Sequence, residues 1–145
     1  MFVENLYPVT SSRLAVVASD ATLQSAAALL SRSDIGLLVV CSHRGCAEGV
    51  LSRSDLVRLF AGSASAESPV SHAMSRDIIT CRPQDEIHAA WQVMTARDLQ
   101  NLPVVDAENG PIGILNIRDA MNALFKQEEM QERMLANYVN GCGYR

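Results

Sequence analysis

The 145-residue chain is poor in aromatic side chains, with phenylalanine, tryptophan and tyrosine together at 5%. Its core must therefore be mostly aliphatic, and apolar residues at 48% suffice for one ordinary domain or two small halves sharing a core. It also lacks any block of one charge. The net −4 is a mixture of acidic and basic residues, unlike the basic stripe of a nucleic-acid binder. The longest apolar run, Ile35 to Cys41, is far short of the roughly 20 residues that span a bilayer. Residues 1–9 carry neither the charged nor the apolar region of a signal peptide. Neither a nucleic-acid nor a membrane partner is expected, and the expected location is the cytoplasm. Cys41, Cys46, Cys81 and Cys142 show no C-x-x-C spacing, so structural thiols are expected rather than metal or redox chemistry. His43, His72 and His88 are scattered without metal-like spacing. There is no G-x-S-x-G, no P-loop and no H-E-x-x-H, and Gly45 and Gly49 are not a dinucleotide fingerprint. Neither an enzyme nor a catalytic cofactor is expected.

What the chain does have is a repeat. A shift of 64 residues, without a gap, lays Gly49-Val50-Leu51-Ser52-Arg53-Ser54-Asp55 on Gly113-Ile114-Leu115-Asn116-Ile117-Arg118-Asp119. The same shift pairs Leu38 with Leu102, Val40 with Val104, Asp34 with Asp98 and Ala26 with Ala90. Self-similarity at a fixed period means one supersecondary unit used twice.

Each copy reads strand, helix, strand, strand, helix. In copy one, Leu14 to Val17 is a short strand, and Asp20 is placed to cap a helix carrying Leu23, Ala26, Ala27 and Leu30 at helical spacing. The run Ile35 to Cys41 predicts a strand buried on both faces. Gly49 to Leu51 returns from the turn, and Ser52 opens a second helix. In copy two the same roles fall to Ile78 to Cys81, a helix with Ile87, Ala90, Trp91 and Met94, then Leu102 to Val105, Gly113 to Leu115, and a helix from Asn116. Pro103 requires that its position in the strand need no amide donor. Residues 61–66 are a small-residue linker, and Ser68-Pro69 opens a short turn to Met74. One such unit cannot bury its own sheet, whereas two can, so an α/β fold of two pseudo-twofold-related β-α-β-β-α units packed sheet to sheet is predicted. The expected divisions are 1–62, a linker at 63–69, 70–125, and a helical extension at 126–145.

The repeated G-h-h-[S/N]-x-x-D motif, the Leu102-Pro103-Val104-Val105-Asp106 run and the order of elements resemble the cystathionine β-synthase (CBS) domain, here in tandem as a Bateman module. The resemblance covers roughly residues 6–125. It implies a regulatory sensor that binds an adenosine-containing ligand (AMP, ADP, ATP, S-adenosylmethionine or NAD) between paired domains and passes the signal to another protein. Carried over by position, it implies that Asp55 and Asp119 hold ribose hydroxyls. Ser52 and Asn116 would lie near phosphate, with Arg53 and Arg118 able to add charge. The backbone around Val16, Leu38, Ile78, Thr80, Leu102 and Pro103 would hold adenine. The two aspartates are expected to serve separate clefts, copy two ranking ahead. Nucleotide-sensing relatives often carry His and Arg just before the Leu-Pro pair, where this chain has Gln100 and Asn101.

A second reading stays open. Ser52-x-x-Asp55 and Asn116-x-x-Asp119 are also what a helix start wants, a capping side chain followed by an acid in the first turn. On that reading the protein is a ligand-free adaptor that regulates a partner by contact. Beyond Phe125, residues 126–140 favour helix as far as Gly141, with Met130, Met134 and Tyr138 in a stripe. The stripe either folds back on Phe2, Val3 and Leu6 or pairs with a second copy. A homodimer through the copy-ending helices is expected.

Overall fold

The structure, a computed structural model of the chain, describes residues 1–63 and 65–143, and of 140–143 the backbone alone. A 3-10 turn, Val3–Leu6, leads into α1 (Tyr7–Ser12). Copy one follows as β1 (Val16–Ala18), α2 (Leu23–Leu30), β2 (Leu37–Cys41), β3 (Ala47–Ser52) and α3 (Arg53–Ala61). After a second 3-10 turn, Val70–His72, copy two supplies α4 (Ile87–Ala96), β4 (Asn101–Val105), β5 (Pro111–Asn116) and α5 (Ile117–Gly143).

The repeat extends to the pairing of single residues. In copy one, β2 pairs antiparallel with β3 from Leu37↔Ser52 to Cys41↔Ala47, with a register shift between Val40 and Cys41. In copy two, β4 pairs with β5 from Asn101↔Asn116 to Val105↔Pro111, with the shift between Val104 and Val105. Each of these positions is related to its counterpart by the 64-residue offset.

The expected strand Ile78 to Cys81 is the exception. In copy one, β1 runs parallel to β2 over three residues. In copy two only the bridge Cys81↔Val104 remains, with Cys81 N donating to Pro103 O and Val105 N to Cys81 O, both at 2.9 Å. The cause is proline. Val39 N donates to Ala15 O at 3.0 Å, but Pro103, at the place of Val39, has no N–H to offer Ile79. On the other side, the Arg82 amide donates to the Asp85 carboxylate at 2.8 Å rather than extending the ladder. The cap of α2 also differs from expectation. Thr22, not Asp20, accepts from the Ser25 amide, at 3.2 Å.

Burial follows three clusters. Leu23, Leu30, Leu38, Leu51 and Leu56 centre the core of copy one. Ile87, Met94, Leu102, Leu115 and Ala120 centre that of copy two. Val39, Cys41, Ala47, Val105 and Ile114 form the third, drawn from both sheets, which is the sheet-to-sheet packing the repeat required. The Asn109 backbone and side chain reach across it, accepting from Ala47 N at 2.9 Å and donating to Ala47 O at 3.1 Å. The symmetric amide bond cannot form, because Pro111 stands where copy one has Ala47. Cys41 and Cys81 are buried and Cys46 partly so. Burial pushes the Cys81 thiol up to about 12, which fits a structural role. Cys142 falls outside the described side chains.

The N-terminal segment packs on copy two, although it precedes copy one in the chain. Val3, at 1% exposure, lies in the copy-two core. Val3 N donates to Asp85 O at 2.8 Å, Glu4 N to Pro83 O at 2.9 Å, and Ile87 N to Met1 O at 3.0 Å. The last bond serves α4, whose N-cap Glu86 makes no side-chain cap; a backbone carbonyl from the chain start satisfies that free amide instead. α1 then packs on β5, where a Cβ on Gly113 would lie 3.0 Å from Thr10. The helix after copy two runs on past the repeat as expected and continues beyond Gly141 to Gly143, and its stripe stays exposed: Met130, Met134 and Tyr138 are all more than 60% accessible. The fold-back on Phe2, Val3 and Leu6 is not formed. No helix among the described residues is long and apolar enough to cross a membrane.

Candidate functional site

Both G-h-h-[S/N]-x-x-D motifs end a strand and begin a helix, so each presents a polar side chain beside free helix amides. In copy one, Ser52 ends β3 and caps α3. Its hydroxyl accepts from Asp55 N at 3.3 Å, and its own amide donates to Asp55 Oδ2 at 2.9 Å. That is the reciprocal capping box. The other Asp55 oxygen receives only a long 3.5 Å contact from the exposed Arg58.

Copy two uses the same positions differently. Asn116 Oδ1 accepts from Arg118 N at 2.9 Å, and its Nδ2 donates to Asn101 Oδ1 at 3.0 Å. Asp119 takes no part in capping Asn116. Its carboxylate is held by the Arg13 guanidinium, with Nη2 donating to Oδ1 at 3.1 Å and Nε to Oδ2.

The two motifs border one cleft of about 810 Å³ between the copies. Equivalent positions of the two copies line it together: Ser52 and Asn116, Val50 and Ile114, Asp34 and Asp98. Of the two motif aspartates, expected in separate clefts, one lines this cleft and the other does not. Asp55 lines this cleft directly, whereas Asp119 sits behind Arg13, which lines it in its place.

Among its charged lining residues, the side chains of Arg13, Asp34, Arg53 and Asp55 have partners. Arg53 was expected on the phosphate side, but its guanidinium donates to Leu30 O at 2.7 Å, to Arg32 O at 2.6 Å and to Ile35 O. It closes the C-terminal end of α2, where carbonyls lack helical partners and a cation is favoured. The Arg32 guanidinium, hydrogen-bonded to Asp34, holds that carboxyl below its ordinary range. Arg118 alone among the cleft arginines makes no ion pair or side-chain hydrogen bond among the described residues.

The adenine-side positions are not gathered with the motif. Thr80 and Leu102 border a smaller cavity of about 330 Å³ near the start of α4. Leu38 and Leu102 are buried in the cores of their own copies, and Pro103 is buried with its carbonyl taken by Cys81. Ile78 packs on the intersheet cluster, and Val16 is exposed on the edge strand β1. The residues that do reach the cleft are Leu37 and Asn101, one position before Leu38 and Leu102. Successive strand residues face opposite ways, so a step of one exchanges core for cleft. That alternation was available in the sequence. Arg13 was not, since nothing local to it indicates a partner 106 residues away.

With this geometry in view, comparison with known proteins gives one family. A family model described as the CBS domain matches residues 3–62 and again 70–126. The chain belongs to the CBS-domain family, as a tandem pair. Among relatives, it is 29% identical over 110 residues to the CBS domain-containing protein YhcV of Bacillus subtilis, covering 75% of this chain and 77% of that protein. It is 35% identical over 111 residues to the arabinose 5-phosphate isomerase GutQ of Salmonella typhimurium, matching 76% of this chain but spanning only 33% of the isomerase. Among solved structures, the CBS-domain containing protein ATU1752 of Agrobacterium tumefaciens superposes with a TM-score of 0.73 at 28% identity, over 85% of this chain and 98% of that one. CBSX2, solved in complex with AMP, superposes at 0.76 with 23% identity, over 88% and 98%.

Proposed function

We propose that the protein is a regulatory module that binds an adenosine-containing ligand in the cleft between its two CBS copies. The observation that carries this reading is the cleft itself. It has the volume of a small-molecule site, it is walled by both motifs, and it holds at Arg118 a cation available to a phosphate. A carboxylate, Asp55 or Asp119, suits a vicinal diol because it accepts two charge-assisted hydrogen bonds. The AMP complex of CBSX2, and a CBS pair from protein MJ0100 with 5′-methylthioadenosine and S-adenosyl-L-methionine, supply the ligand class to try first.

A titration with AMP, ATP and S-adenosylmethionine should raise the melting temperature, by about 2.7 kcal/mol of stability at a hundredfold excess over Kd. Alanine at the aspartate that holds ribose should then weaken binding about tenfold to a hundredfold, or roughly 1.5–3 kcal/mol, by calorimetry. The capping box formed by Ser52 and Asp55 favours the adaptor reading for copy one. If both alanine variants bind as the parent does, the aspartates serve the helices alone.

The output is proposed to leave through protein contact. Val57 on α3 and Met121 on α5 are equivalent positions, 69% and 52% exposed, and Phe60 and Phe125 lie beside them. Farther along the same helix, at about 3.6 residues per turn, the exposed Leu135 and Val139 continue this face, while the stripe of Met130, Met134 and Tyr138 lies on the other side of α5. We assign these exposed residues to pairing with a second copy. Sedimentation at micromolar concentration should find a dimer for the full chain and a shift toward monomer for a version ending at Phe125. A full-length monomer contradicts the assignment, and a truncated dimer moves the interface elsewhere.

A further inference from the structure

Arg13 stands immediately before copy one but is anchored on copy two. It ends α1, and α1 is seated on β5 because Gly113 leaves room for Thr10. From that base the guanidinium forks onto both oxygens of Asp119, with the two side chains only 28% and 13% exposed. A bidentate arginine lies across the same carboxylate edge that two ribose hydroxyls would use. The equivalent aspartate of copy one has no such occupant, only its own helix start and the exposed Arg58.

We infer that Arg13 is a built-in competitor at the copy-two position and thereby selects for charge. A ligand reaching Asp119 must displace the guanidinium. A neutral nucleoside does so by leaving a partly buried cation without a partner, which is unfavourable. A nucleotide brings its own anion into a cleft that Arg13 already lines, so the guanidinium can exchange a carboxylate for a phosphate. The site would therefore discriminate nucleoside phosphates from nucleosides with no dedicated phosphate loop, and Arg13 would be its specificity-determining residue. Exchange would also break the side-chain tie between α1 and α5, so that occupancy is felt at the N-terminal segment.

The inference rests on the proposed adenosine function, and the experiment separates the two. Calorimetry with adenosine and AMP is run on the parent, Arg13→Ala, Asp119→Ala and the double variant, each first shown folded by its melting curve. Arg13→Lys, which keeps the charge but loses the fork, stands in should Arg13→Ala fail to fold. The parent should prefer AMP. In Arg13→Ala, adenosine should bind about tenfold tighter while AMP weakens, since removing one member of a charge-assisted pair shifts binding by about that factor. In the Asp119→Ala background the gain for adenosine should vanish. Equal adenosine affinity with and without Arg13, or a parallel loss for both ligands, overturns the inference and leaves the functional reading standing. Absence of binding by either ligand to all four proteins overturns both.

Discussion

Val3→Asp is expected to lower the melting temperature by on the order of 10 °C. Val3 is 1% exposed and packs among Ile87, Met94, Leu102 and Leu115 of copy two. Placing a carboxylate there buries a charge with no counter-ion, a cost of roughly 3–5 kcal/mol, and each kcal/mol shifts the midpoint of a chain of this size by about 2–4 °C. Val3→Ala, which removes two methyl groups and leaves a small cavity, should cost only roughly 1–2 kcal/mol. The ordering separates true burial from a loose association. If Val3→Asp melts with the parent, the segment is not part of the copy-two core. The consequence for design is direct, because residues 1–12 look dispensable in a drawing of two repeats. Their amides and carbonyls nevertheless close the turn before α4, and Met1 O accepts from the first amide of that helix.

Arg53→Ala is expected to destabilise the protein by about 2–3 kcal/mol while leaving the phosphate side of the cleft functional. Hydrogen bonds from a charged donor contribute more than neutral ones, and a cation at a helix C-terminus adds to them. Here one guanidinium satisfies carbonyls of Leu30, Arg32 and Ile35 together. Lysine, with a single compact ammonium in place of a planar fork, should recover only part of the loss. Denaturant unfolding measures the first quantity and nucleotide titration the second. A variant that keeps its stability but loses nucleotide binding would restore Arg53 to the phosphate site. Copy two has no counterpart to this clamp. The equivalent position is Ile117, which packs on the copy-two core, so the two halves stabilise the same turn by different means.

Such differences mark where sequence reading works and where it stops. The repeat offset carries the β2–β3 register onto β4–β5 residue by residue, because register is set by which alternate residues are apolar, and those residues coincide. Helix starts at Ser52 and Asn116 were legible for the same local reason. The strand at Ile78 to Cys81 was misjudged because its apolar pattern is right, while the missing donor lies on a partner strand, at Pro103. The resemblance points to the backbone around Leu38 and Leu102, and strand alternation, a period of two, turns the side chains of the neighbouring Leu37 and Asn101 to the cleft.

The sequence by itself determined the two-unit α/β architecture, the sheet-to-sheet core, and the positions where each motif turns from strand to helix. All of these follow from short-range periodicity and capping chemistry, which two copies report independently. Only the tertiary structure decided what each motif residue is doing. The N-terminal segment crosses to copy two, Arg13 takes Asp119, Arg53 turns to the end of α2, and Asp55 is left open to the cleft. These outcomes depend on which charged and unsatisfied groups meet in space across 18 to 106 residues of chain, and no local pattern encodes such a meeting.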